Sequence, residues 1–337
     1  MGQYLQFFLH STLVLSLLFP STWGRISNME YDAVQAQNDA KIITVDQSGK
    51  GDFRTIQQAI DSVPQNNNDW IIIKINPGTY KEKVIIPREK PKIFLRGGGE
   101  SRTSTRIQFS DGGSSTESAV LQVNANNFFC ADIEIKNTYN LPKQFDANGN
   151  PKTWAPAVLL NADMVAFFRC NFLSLQDTVS DIRGRHYLED CFMQGSVDFI
   201  WGSGQSVYKG CMLKSLDSGY MTAQGRSSAS EPTGFVFISC TITGTGPAYL
   251  GRAYRPYSRV IFYDTYMENI IQPEGWSAWG SVGKEDSITY AEENCRGPGA
   301  NKSKRVKWMK HLRGKDLGFF TDVNTYLGGN WMYQLPN

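Results

Sequence analysis

Histidine is nearly absent from this chain of 337 residues: there are three, and one of them, His10, lies in an uncharged N-terminal stretch. That leaves His186 and His311, which argues against a histidine-based zinc site, and neither HExxH nor CxxC occurs. No GxSxG is present, which disfavours a serine-hydrolase arrangement. An excess of one charge is missing as well: 34 Lys and Arg against 32 Asp and Glu leave a net charge of +2, no ground for nucleic-acid binding. Past residue 24, no apolar run approaches the ~20 residues of a membrane-spanning helix. The glycines of GGGESRT after Leu95 read as a tight turn between strands, not a phosphate loop. No metal, cofactor, nucleic-acid partner or membrane association is therefore expected.

What is present points to exported β-structure. The first 24 residues carry no charged side chain, and the apolar run Leu13 to Phe19 is followed by Pro20 and by the small-residue pattern Thr22-x-Gly24. This reads as a secretory signal peptide over 1–24, leaving one domain over 25–337. Aromatic and turn-forming residues abound, with 15 Tyr, 19 Phe and 31 Gly, a composition that favours strands joined by many turns. All six cysteines fall in the exported part, where an even count permits disulfides.

Around five of those cysteines one phrase recurs: NNFFCADIEI from Asn126, VAFFRCNFLSL from Val165, HYLEDCFMQG from His186, SVYKGCMLKS from Ser206 and GFVFISCTIT from Gly234. A sixth copy, RVIFYDTYMEN from Arg259, places Asp264 at the cysteine position. Each is a short aromatic strand, a polar break and another short strand. The intervals from Cys130 are 40, 21, 20, 29 and 24 residues, the period of a solenoid with loops inserted in some turns. A β-sandwich has no reason to repeat one phrase at one-turn spacing, so the expected fold is all-β, a parallel β-helix. Stacked free thiols and bonded cysteines remain equally open. Thr55 to Pro64 reads as a capping helix with a Thr55-x-x-Gln58 capping box, and SKRVKWMKHL, residues 303–312, as a second. The basic residues from Lys302 to Lys315, Arg305 among them, read as a solvated face.

The repeat also locates chemistry. Asp177 lies seven residues after Cys170, and Asp198 seven after Cys191. On stacked turns their backbones would sit ~4.8 Å apart, and two carboxylates so close cannot both ionise easily. One is expected to rise in pKa while the other stays low, an acid beside a nucleophile. Gln176 adjoins the first. Asp198 sits among Val197, Phe199, Ile200 and Trp201, so a cation should be near, and Arg252 in LGRAY is the candidate.

In order along the chain, GTYKEKV, QDTV, GSVDFIWG, TAQGR, LGRAYRPYSRV and PEGW resemble the plant pectinesterase family, in its shorter form without an N-terminal inhibitor-like region. The resemblance implies a right-handed parallel β-helix with short capping helices. It also implies an esterase that removes methyl groups from pectin in the cell wall. Asp198 would be the nucleophile, Asp177 the acid and then base, Gln176 an oxyanion donor, and Arg252 the group that orients Asp198 and holds substrate. Implied partners are pectin (homogalacturonan) and a proteinaceous pectinesterase inhibitor, for a secreted, monomeric glycoprotein with one sequon, Asn301-Lys302-Ser303. Two positions depart from the family pattern. Pro156 in APAVLL stands where a second oxyanion glutamine is usual, and Tyr254 stands where a tryptophan contacts sugar. The alternatives are a catalytically weakened wall-binding homologue and a β-helical pectin glycosidase or lyase; released methanol separates them.

Overall fold

The computed structural model describes residues 40–141 and 153–334. The expected signal peptide and the segment 142–152 lie outside the described residues, and Ala40–Pro336 clusters as one compact unit.

Ten parallel strands stack strictly in chain order to make one face, from Lys41–Val45 through Val165–Phe168 and Arg185–Glu189 to Thr289–Glu293. The rest of each turn pairs in the same way into a second, branched sheet of 14 strands. Its two faces are fused by Phe192–Gly202 and Met212–Gln224, which run unbroken round the corner between them. Parallel neighbours one turn apart make this the expected β-helix, right-handed as its crossovers require.

Because each turn repeats the last, interior side chains form columns. One runs Ile43, Ile73, Leu95, Cys130, Phe167, Leu188, Tyr208, Phe237 and Phe262. Its last three rings stack face to face, at 4.6 and 4.4 Å. Cys130 belongs to this column, opposite Phe167, and not with the other cysteines. The residue in register with Cys170 is Ile133, and the second column continues through Cys191, Cys211 and Cys240 to Thr265 and Cys295. So the first copy of the phrase was aligned three residues early, and the sixth one residue early.

What the turns share is a backbone conformation. The residue just before each member of the second column has positive φ: Asp132, Arg169, Asp190, Gly210, Ser239, Asp264 and Asn294. Left-handed geometry turns the corner between sheets, and it recruits Asp, Asn and Gly more readily than bulky residues. Asp264 therefore marks the corner rather than the cysteine position. All six cysteines are free thiols in the structure.

The N-terminal helix spans Ile56–Asp61, capped by Thr55, whose side chain accepts from the Gln58 N–H. The second expected helix does not form. Residues 303–312 cross the end of the solenoid as turns: Lys310 N–H donates to Tyr290 O, extending the last strand, and Trp308 packs on Tyr290. The helices lie just beyond, at Gly314–Thr321 and Val323–Leu327. Phe320, Tyr326 and Leu327 cover the outer face of the ten-stranded sheet over Tyr187, Val207 and Val236. Nor is the basic run wholly solvated. Arg305 is buried on Glu292, which also accepts from the indole of Trp276.

Candidate active site

Asp177 follows the strand Asn171–Leu173 and precedes Val179–Arg183; Asp198 lies inside Phe192–Gly202. Gln176 bridges to Val197, and Val179 pairs with Ile200. Between those two anchors Asp177 stands directly opposite Asp198, as their equal offsets from Cys170 and Cys191 predict. Both have left-handed backbones, φ 58° and 48°. A single left-handed residue breaks strand alternation, so Val179, Phe199 and Ile200 fill the core while Asp198 meets Arg252. Such conformations persist where surrounding structure over-determines them. Here Thr178 Oγ1 donates to Gln194 O at 2.8 Å, tying the two turns together, and Gly195 leaves room for Phe199, which a Cβ there would meet at 2.2 Å.

The aspartates are more enclosed than an open groove would leave them, with exposures of 4% and 7%. Arg252 reaches Asp198 from two turns further on. Its Nε donates to Oδ1 at 2.8 Å and its Nη2 donates to Oδ2, a two-pronged grip. The strand Ala248–Arg252 can approach because residue 251 is glycine; a Cβ there would lie 2.2 Å from Thr222 Oγ1.

Electrostatics separates the pair. Burial, reinforced by the charge of Asp198 and only partly offset by Arg252, pushes the Asp177 carboxyl up to about 8. Asp198 is also raised by burial, against the opposing hydrogen bonds and charge of Arg252. The expectation that one carboxylate stays low is thus corrected: the arginine moderates the desolvation of Asp198 without cancelling it. The asymmetry itself holds, since only Asp198 has the cation.

Gln176 is half-buried next to Asp177. Pro156 is buried one turn earlier; its carbonyl accepts from Asn137 Nδ2 at 2.9 Å, and as proline it offers no N–H. Tyr254 is 39% exposed and stacks on Trp279, with ring centroids 5.6 Å apart. Sequence reasoning missed Trp279 and Tyr220, whose rings lie against Arg252, and Tyr249, which stacks on Tyr220. The available signal was GWSAWG, where a second tryptophan follows the PEGW phrase at once.

His186 cannot serve as a base here. It is fully buried, with Nδ1 on Asp181 at 2.6 Å and Nε2 on the Ala162 carbonyl at 2.9 Å. Among the described residues no group of three His, Cys, Asp or Glu side chains is placed to share a metal ion.

Known proteins share this parallel β-helix. A family model described as Pectinesterase matches residues 42–330. Probable pectinesterase 55 of Arabidopsis thaliana is 44% identical over 301 residues, covering 87% of this chain and 91% of its own. Probable pectinesterase 29 of the same plant is 44% identical, covering 87% and 89%. Among solved structures, a pectin methylesterase from carrot superposes with a TM-score of 0.79 at 28% identity, over 87% of this chain and 95% of that one. One from Aspergillus niger gives 0.75 at 26%, over 87% and 96%. With a family model spanning most of its length and relatives this similar, the chain belongs to the pectinesterase family of carboxylic-ester hydrolases.

Proposed function

We propose that this protein hydrolyses the methyl esters of homogalacturonan, releasing methanol and leaving pectate, with Asp198 as nucleophile and Asp177 as acid and base. The observation that carries the reading is the in-register pair, with an arginine on one member only. Ionised Asp198 attacks the ester carbonyl, and the amide of Gln176 donates to the oxyanion that forms. Collapse of the tetrahedral intermediate expels methanol, which takes its proton from Asp177. The resulting acyl-enzyme anhydride is opened by water; Asp177, now ionised, accepts the water proton. Asp198 is released as carboxylate, Asp177 has its proton back, and the product acid loses its own proton to solvent to give pectate. A carboxyl protonated up to about pH 8 suits the first role of Asp177.

The same reading extends to the setting. Residues 1–24 would direct secretion to the wall, and 25–337 would form the mature, monomeric catalytic domain, open to a proteinaceous inhibitor. Exposed Asn301, whose Oδ1 accepts from Ser303 N–H at 3.0 Å, would carry a glycan. The deciding experiment is methanol release from esterified pectin by the purified mature chain. Methanol appearing in step with new carboxylates supports the reading. New reducing ends or unsaturated products without methanol would replace it with chain cleavage.

A further inference from the structure

Arg252 is held by more than its ion pair. Its guanidinium carbon lies 4.1 Å from the ring centroid of Trp279 and 5.0 Å from that of Tyr220. Each of these rings is backed by another. Trp279 stacks on Tyr254 with planes 12° apart, and Tyr220 stacks on Tyr249 at 5.3 Å with planes 20° apart. The four rings come from three successive turns, and two of them, Trp279 and Tyr220, meet on one cation. Trp279 is held there at some cost, because its φ of 45° is a conformation that bulky residues avoid. Its N–H donates to Ser277 Oγ at 3.2 Å, and Trp276, three residues earlier, is anchored on buried Glu292.

Resting on the reading of Asp198 as nucleophile, we propose that Trp279 and Tyr220 are positioning residues: they hold Arg252 edge-on to Asp198 and keep water from the pair. The physical case has two parts. Arginine carries a long side chain with many rotamers, but its weakly hydrated planar head stacks well on aromatic faces. With Nε and Nη2 committed to Asp198, ring contacts restrict rotation about the remaining bonds and exclude solvent that would screen the pair. Asp198 is faced by Asp177 from the preceding turn and by Arg252 from two turns on, with the buried phenol of Tyr290 feeling its charge at longer range. Arg252 is thus the cation that opposes burial. Loosening it leaves the nucleophile harder to ionise and less well aimed.

The rival role for these rings is a platform for sugar. The two differ in what they move. We expect Trp279→Leu and Tyr220→Leu each to lower kcat about tenfold, with KM changed by less than about twofold. The acidic limb of the kcat profile should shift to higher pH, and Trp279→Phe and Tyr220→Phe should recover most of the loss. A rise in KM with kcat and the acidic limb unchanged would overturn the proposal in favour of sugar stacking. A second measurement does not depend on turnover: a double-mutant cycle in thermal unfolding with Trp279→Leu, Asp198→Asn and the pair. Non-additive effects on the melting temperature support action through Arg252; additive effects overturn it. If the wild type releases no methanol, the functional reading fails, and this cycle still decides the inference.

Discussion

The turns that carry Asp177 and Asp198 are close copies of one another. Both aspartates follow a buried cysteine by the same seven residues, both have left-handed backbones, and both are nearly enclosed. Yet one is raised to about 8, and the other is gripped by Arg252. The difference lies in what the neighbouring turns bring. Asp177 faces Asp198 on one side and the turn of Pro156 on the other, while Asp198 has Arg252 with its ring of aromatic side chains. Similar local structure can therefore present two electrostatic settings when the stack supplies different neighbours.

Breaking that asymmetry on the Asp198 side should have the largest effect. Asp198→Asn keeps the shape but offers a poor nucleophile, so methanol release should fall by roughly 10³-fold or more. It also strands a largely buried arginine, which should cost about 3 kcal/mol of stability. Circular dichroism should show the β-helix retained at moderate temperature while urea unfolding moves to lower concentration. A wild-type rate would mean the nucleophile is elsewhere.

On the Asp177 side the stability effect should have the opposite sign. The native carboxyl, at about 8 against an ordinary 3.8, keeps its proton where the unfolded chain has lost it. Its folded state therefore binds more protons, and its contribution to stability falls as pH rises from about 4 to about 8. Asp177→Asn escapes that penalty. Relative to wild type it should gain stability across the window, on the order of a few kcal/mol at its upper end. Unfolding both proteins in urea at about pH 5 and about pH 8 measures this. Turnover should drop about 10²–10⁴-fold, because the amide can neither protonate methanol nor activate water. Equal pH dependence in the two proteins would mean that the raised carboxyl is not Asp177.

The smallest expected effects sharpen the comparison at its edges. Pro156→Gln keeps the carbonyl that Asn137 holds and adds a side-chain amide on the turn before Asp177. If Gln176 now meets the oxyanion without a second amide, kcat should rise by up to about 10². Tyr254→Trp enlarges the ring already stacked on Trp279 and should act on KM, by about two- to fivefold, with kcat little changed. Assaying both variants and the double on one pectin preparation separates them. A Pro156→Gln protein that folds normally and gains nothing would show that another donor already fills the oxyanion position.

Much of this was legible in the chain. The one-turn period near Cys170, Cys191 and Cys211 gave the solenoid, and the equal offsets gave the register of the aspartates. Where the letters mislead, the feature repeated from turn to turn is conformational. Cys130 resembled its successors but occupies a different column, because the corner is marked by the left-handed residue Asp132 and not by the thiol. The segment 303–312 has helical spacing, yet its backbone groups and Trp308 are drawn to the open end of the last strand, which local propensity cannot anticipate. Arg305 looked like one more surface cation until Glu292 claimed it.

The sequence by itself determined the periodic architecture and the facing of Asp177 and Asp198, since both depend on spacing within and between adjacent turns. Tertiary structure alone decided how those carboxyls differ. Arg252 lies 54 residues from Asp198 in the chain, and Tyr220, Tyr254 and Trp279 come from turns and loops of unequal length. Stacking parallel turns brings such distant residues within a few ångströms, and in that buried setting it gives one carboxyl a cation partner.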